Sequence, residues 1–357
     1  MVSPPFPEIM RRRPSGLHKP ICAARPDARS DHCHSPHFYW IHMPTAAQLK
    51  ESLALPVIGA PMFLVSNPAL VIAQCCAGIV GSFPALNARP QEVFEQWLVE
   101  IEAGLARYRV ENPGAKVAPY AVNLIVHQSN PRLEDDLEVC VRHRVPIVIT
   151  SLHSPERVVE RVHEYGGLVL HDVTTIRHAR KAAAAGVDGL ILVCAGAGGH
   201  AGALSPFALV NEVKAMYDGL VVLSGCITNG SAILAARAMG CDLAYIGTRF
   251  IATEESSAVP EYKQMLVEAT AADIIYTPFF TGVSGNYLKP SIAAAGLDPD
   301  NLAVGGRASM DVSKPKKWKD IWGSGQGVGN ITSILPARQV VAQLKDEYEA
   351  SKRQLLV

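Results

Sequence analysis

From residue 55 onward, short β-branched apolar runs alternate with Ala-rich amphipathic stretches. The runs predict strands at 56–60, 78–83, 118–126, 145–150, 167–171, 188–193, 219–224 and 243–247. Helical spacing of apolar residues predicts helices near 67–77, 91–109, 132–142, 154–164, 174–185, 205–217, 229–239 and 258–270. Gly189-Leu190-Ile191-Leu192-Val193 is apolar at every position, as a parallel strand covered on both faces requires. Eight strand–helix units in about 215 residues predict an α/β fold, a TIM (β/α)8 barrel with a smaller loop-rich domain on its substrate side. The competitor is a doubly wound open sheet. The count of eight and the lack of an early G-x-G-x-x-G run weigh against it.

The first 45 residues break this pattern. They hold eight prolines, five arginines and five of the twelve histidines, without apolar periodicity. We expect residues 1–45 to be a disordered extension; a transit peptide and an upstream extension of the reading frame, with Met43 as the natural start, are the other readings. Residues 46–270 are then the barrel, 271–334 a cap rich in Gly, Pro and aromatic residues, and 335–357 a C-terminal helix packing on the barrel.

Composition narrows the function. The chain has 357 residues, 33 basic and 33 acidic, so its formal net charge is zero. That balance argues against a nucleic-acid partner. No run of apolar residues is long enough to span a membrane. None of the eight cysteines forms a C-x-x-C pair, which suits reduced thiols and a cytoplasmic enzyme. A metal site at His32-Cys33-His34 is the weak exception, and no metal is expected. A homo-oligomer is left open.

In a barrel, chemistry sits just after the strand C-termini, and a phosphate sits after strands seven and eight. Strand seven ends in Ser224-Gly225-Cys226 and strand eight in Gly247-Thr248. Glycine lets backbone N–H groups approach a phosphate, and the helix after each loop adds its positive N-terminus. After strand six runs Gly196-Ala197-Gly198-Gly199-His200, a Gly-rich clamp with one titratable group. An imidazole there can remove an acidic C–H proton near neutral pH; alternatively it caps a helix. His171 ends strand five and is expected to point to the barrel top, with a core or supporting role as its rival. His153 lies on the rim and His178 on a helix surface. Asn123 ends strand three, where its amide can hydrogen-bond a ligand. Ala60-Pro61-Met62 follows strand one at the rim. Tyr287 and Lys289 are candidates for an anionic substrate.

These stretches, in this order, resemble the nitronate monooxygenases, formerly 2-nitropropane dioxygenases. The matching segments are Gly59 through Met62, Ala197 through Gly202, Ser224-Gly225, Gly247 through Phe250 with Thr253 to Ser256, and Gly282 through Pro290. The resemblance covers about residues 55–340 and implies an FMN-dependent enzyme. By resemblance, Ala60, Pro61 and Met62 border the isoalloxazine, Asn123 and the strand-five end meet the flavin, and Gly225, Cys226, Gly247 and Thr248 hold the phosphate. His200 is then the catalytic base at a neutral nitroalkane or, when protonated, the group that binds an anionic nitronate, which O2 oxidises to a carbonyl compound and nitrite. Many relatives carry Lys where this chain has Asp172, which puts the subgroup and substrate in doubt. The rival on the same scaffold is an NAD(P)H-using reductase of the enoyl-ACP or quinone type. Two further readings carry less weight: an IMP dehydrogenase-like nucleophile at Cys194 or Cys226, and a non-catalytic flavin-binding partner.

Overall fold

The computed structural model describes residues 45–302 and 320–356. Eleven strands run through these residues: β1 (Val57–Gly59), β2 (Gly81–Pro84), β3 (Tyr120–Val126), β4 (Ile147–Leu152), β5 (Leu168–Val173), β6 (Gly189–Val193), β7 (Gly199–His200), β8 (Leu220–Ser224), β9 (Leu243–Ile246), β10 (Ile274–Thr277) and β11 (Gly285–Leu288). Eight of them form one all-parallel sheet in the order β1-β9-β8-β6-β5-β4-β3-β2. The sheet closes on itself through a parallel bridge between Ile58 and Val80, with Gly59 N–H donating to Val80 O at 2.7 Å. This is the expected (β/α)8 barrel, and each predicted strand overlaps an observed one. The His32-Cys33-His34 site and the expected tail lie outside the described residues.

Alternation along each strand divides the core in two. Ile147, Ile149, Leu168, Leu170, Ile191, Leu220, Val222, Leu243 and Tyr245 fill the barrel interior. Their neighbours Val148, Val169, Leu190, Val221 and Ala244 face outward into the layer beneath the helices. Side chains alternate faces along a strand, so each strand serves both cores. Both faces being apolar, neither reads as polar in the sequence.

The helix Ala46–Ser52 was not expected. Thr45 starts it with a capping box shared with Gln48, which satisfies two otherwise orphaned N–H groups. Leu49 and Leu53 join the interior cluster beside Leu168, Leu220 and Leu243, the first residues of their strands. Lys50 pairs with Asp242, just before β9, at 3.0 Å. The helix thus plugs the N-terminal end of the barrel and leaves the C-terminal end as the open mouth.

Residues beyond the barrel reinforce that mouth. β10 and β11 form an antiparallel hairpin, and β11 pairs with β7 in the loop after β6. The helix Ala337–Leu355 packs Val340, Val341 and Leu344 into the outer core. Its Glu347 carboxylate accepts the Gly230 N–H at 2.7 Å, at the start of the helix Gly230–Ala238. Asn229 caps the same end through Ala232 N–H. That helix terminus is therefore already neutralised by protein groups. After β9 a short helix, Thr248–Ile251, precedes the expected one, which runs Pro260–Glu268. Among the described residues, no helix is long and apolar enough to cross a membrane.

Candidate active site at the barrel mouth

Four loops and one strap converge at the mouth. After β8, Gly225 (φ +132°) and Cys226 (φ +57°) turn the backbone sharply. A Cβ on Gly225 would lie 2.8 Å from Ala195 O, so the loops after β8 and β6 touch through backbone. After β9, Gly247 precedes Thr248, and a Cβ on Gly247 would meet Ala60 and Met62 at ordinary contact distance. The loop after β1 is thereby set beside the loop after β9, and Ala60 N–H donates to Ile246 O at 2.8 Å. Met62 N–H is held by Ser66 Oγ at 2.9 Å.

The strap is Gly323–Gly327, from the segment read as cap, and it joins the cradle directly. Gly325 N–H donates to Thr248 Oγ1 at 2.9 Å, and Gln326 N–H to Gly196 O at 2.9 Å. Thr228 Oγ1 donates to Gly327 O at 2.9 Å, while Tyr262 donates to Gly323 O. The alternating glycines at 323, 325, 327 and 329 were the available signal. A Cβ at Gly325 would lie 2.8 Å from Gly196 O, and one at Gly198 would lie 2.8 Å from Gly325 N. Gly199 (φ +66°) differs, because a Cβ there meets nothing within 4 Å. It faces the open side.

The barrel's upper interior carries a polar cluster. Asn123 donates through Nδ2 to Ile149 O at 3.1 Å and to Ser151 Oγ at 2.9 Å. Both amide hydrogens are used, so its carbonyl oxygen is the atom left for a ligand. Ser151 Oγ donates to Asp172 Oδ2 at 2.6 Å. Asp172 Oδ1 and the Tyr245 hydroxyl are buried without a hydrogen-bond partner. Burial pushes the Asp172 carboxyl up to about 6 against the pull of Ser151. Tyr245 is raised by burial and by the nearby Asp172 charge.

His171 does not join this cluster, which corrects the expectation. Leu168, Leu170 and Asp172 share the interior face of β5, whereas Val169, His171 and Val173 face outward. The His171 Nδ1 lies 2.8 Å from Thr150 Oγ1, and burial, with His178 nearby, lowers its pKa to about 4. Its neighbour Asp172 occupies the mouth.

These adjacent groups titrate with opposite linkage. His171 binds its proton less tightly folded than unfolded, so stability falls as pH drops from 6.5 toward 4, by roughly 3 kcal/mol. Asp172 binds its proton more tightly folded, so stability falls as pH rises from 3.8 through about 6, also by roughly 3 kcal/mol. In the cofactor-free protein, Asp172→Asn should therefore stabilise more at pH 8 than at pH 4. His171→Gln should show the reverse trend. Urea unfolding at both pH values checks the two signs, and equal shifts at both would refute them.

His200 stands on β7, paired with Gly285 of β11. Its Nε2 lies 2.9 Å from Thr281 Oγ1. Although the residue is exposed, the flanking loops desolvate the ring and lower its pKa. Tyr287 lies two residues along β11, buried against Phe280. Lys289 is not brought to the mouth. It lies four residues beyond Gly285, about 13 Å along the chain at strand rise, and pairs with Asp300 at 3.1 Å. Arg249 reaches Ser333 O and Gln343 instead of the cradle. Burial pushes the Cys194 thiol up to about 12 and raises Cys226, so neither is a ready thiolate nucleophile. His153 packs its ring on His127 with centroids 4.7 Å apart, and His178 stays on its helix near Thr174.

The family model for nitronate monooxygenase matches residues 102–347, well over half of the chain. The chain belongs to the nitronate monooxygenase family. A nitronate monooxygenase of Paraburkholderia phytofirmans is 28% identical over 351 aligned residues, covering 84% of this chain and 94% of that one. Among solved structures, nitroalkane oxidase from Streptomyces ansochromogenes superposes with a TM-score of 0.70 at 26% identity, covering 86% of this chain and 99% of that one. FabK from Thermotoga maritima shares the fold with a TM-score of 0.71 at 24% identity, covering 87% and 97%. Family membership makes the chain an oxidoreductase enzyme on a TIM barrel, of a kind that uses flavin in general.

Proposed function

We propose that this chain binds FMN at the barrel mouth and oxidises small alkyl nitronates, or nitroalkanes after deprotonation, with O2 to a carbonyl compound and nitrite. One observation carries the reading: the His200 imidazole, whose pKa desolvation lowers, stands at the open side of a glycine cradle. The cradle fits a phosphate-bearing ring system. The loops at Gly225-Cys226 and Gly247-Thr248, with the Thr248–Ile251 helix start, would hold the phosphate. Ala60, Pro61 and Met62 would border one edge of the ring. The orphaned Asp172 Oδ1 and Tyr245 hydroxyl call for polar partners that the flavin's pyrimidine edge offers.

FMN supplies the electron-accepting chemistry when bound. His200 would take the α-proton of a neutral nitroalkane, since its lowered pKa keeps the ring unprotonated near pH 7. With a preformed nitronate no base is needed, and a protonated ring would instead bind its negative charge.

The purified protein should be yellow and release FMN on denaturation. It should produce nitrite and consume O2 with ethylnitronate or propionate 3-nitronate. Colourless protein that fails to take up FMN overturns the cofactor assignment. Rapid NADH oxidation by a quinone or an enoyl thioester, without nitrite release, replaces the reaction with a reductase.

A further inference from the structure

We propose that Thr281 is a positioning residue for His200, holding the tautomer that carries its proton on Nε2 and leaving Nδ1 as the atom that accepts the substrate proton. The inference rests on the reading of His200 as base and adds which nitrogen acts and what selects it.

Proton counting at one hydroxyl carries the case. A threonine hydroxyl has one hydrogen and two lone pairs. Thr281 Oγ1 donates to Val283 O at 2.8 Å and accepts Val283 N–H at 3.2 Å. With that hydrogen on Val283 O, the arrangement that satisfies all three groups has Oγ1, 2.9 Å from His200 Nε2, accept from the ring. In that arrangement Nε2 carries the hydrogen. A neutral imidazole has one N–H, which leaves the lone pair on Nδ1.

The surrounding backbone holds this geometry on both sides of the histidine. Gly199 pairs with Asn286 and His200 with Gly285. Ala201 N–H donates to Ser284 O at 3.1 Å. The loop bearing Thr281 closes through Gly282 N–H to Pro278 O at 2.8 Å, with Gly282 at φ +75°. Tyr287, whose pKa burial raises while Thr281 pulls it back, is the titratable neighbour on β11. It is neutral near pH 7. Elsewhere His143 pairs with Glu102, and that carboxylate partner favours the imidazolium. A neutral hydroxyl orients the ring without supplying that charge, so the tautomer is selected while the ring stays unprotonated.

The test uses the FMN-loaded enzyme with 15N-labelled histidine, His200 being assigned by its loss in His200→Asn. The parent should show Nε2 protonated and Nδ1 bare. Thr281→Val should give a mixed tautomer population and lower kcat/KM for nitroethane about 10- to 100-fold. Its activity on preformed ethylnitronate and its FMN affinity should change less than about threefold. Thr281→Ser should restore both the tautomer and turnover. A parent ring protonated on Nδ1, or a Val variant with parental tautomer and turnover, overturns the proposal. If His200→Asn leaves nitroethane turnover intact, the base reading fails by itself, and the NMR signature still decides whether Thr281 sets the tautomer.

Discussion

Replacing His200 by Asn should leave FMN bound and lower kcat/KM for nitroethane by about 10²- to 10⁴-fold, the usual worth of a positioned general base. Asparagine keeps a group able to donate to Thr281 but has no lone pair basic enough to take a carbon-bound proton. The loss should be much smaller with preformed ethylnitronate, whose proton has already left. The pH profile gives a second readout. Desolvation places the His200 pKa below the ordinary 6.5. Parent kcat/KM for nitroethane should therefore fall on the acid side with a midpoint below 6.5, as the ring gains a proton and can no longer accept one. The Asn variant should lack that limb. Stopped-flow or steady-state nitrite release with both substrates checks this, and equal losses on nitroethane and ethylnitronate would remove His200 from the base role.

Gly198→Val should weaken FMN binding by at least about 10- to 100-fold. A Cβ at 198 would lie 2.8 Å from Gly325 N, 3.0 Å from the Ser324 carbonyl carbon and 3.1 Å from Thr248 Oγ1. The first and last of those atoms form the hydrogen bond that ties the strap to the loop after β9. Two of the three are backbone and cannot swing aside, so three pieces of the cradle must separate. Forcing volume into such a contact costs roughly 1–3 kcal/mol or more, and each 1.4 kcal/mol is about tenfold in affinity. Gly199→Ala is the control. Its Cβ has open space and only the positive φ to pay for, about 1–2 kcal/mol, so its effect should be smaller. Fluorescence titration of the cofactor-free proteins with FMN measures both, and parental affinity in Gly198→Val would refute the cradle.

Much of the site was legible because loops after predicted strands carry their own signatures. Gly-rich runs ending in one histidine, or placed after the last two strands, mark close backbone approach wherever the chain goes afterward. The docking of the strap Gly323–Gly327 was not legible because its partners, Gly196, Thr228 and Thr248, lie far away in sequence. Nothing local says where four alternating glycines will dock. The short strands β7, β10 and β11 were missed for a related reason. Two to four residues carry no usable periodicity, and their pairing is settled by the hairpin's position over the mouth.

The sequence by itself determined the barrel. Eight apolar runs separated by amphipathic helices bury both faces of a parallel sheet in few other ways, and that pattern is local. Tertiary structure alone decided which residue at the end of β5 enters the mouth. Leu168, Leu170 and Asp172 face inward and Val169, His171 and Val173 outward. A strand covered on both sides has no polar face to reveal its register, and a shift of one residue exchanges the two sets. Pairing with β4 and β6 sets that register, and with it an aspartate, not a histidine, at the barrel mouth.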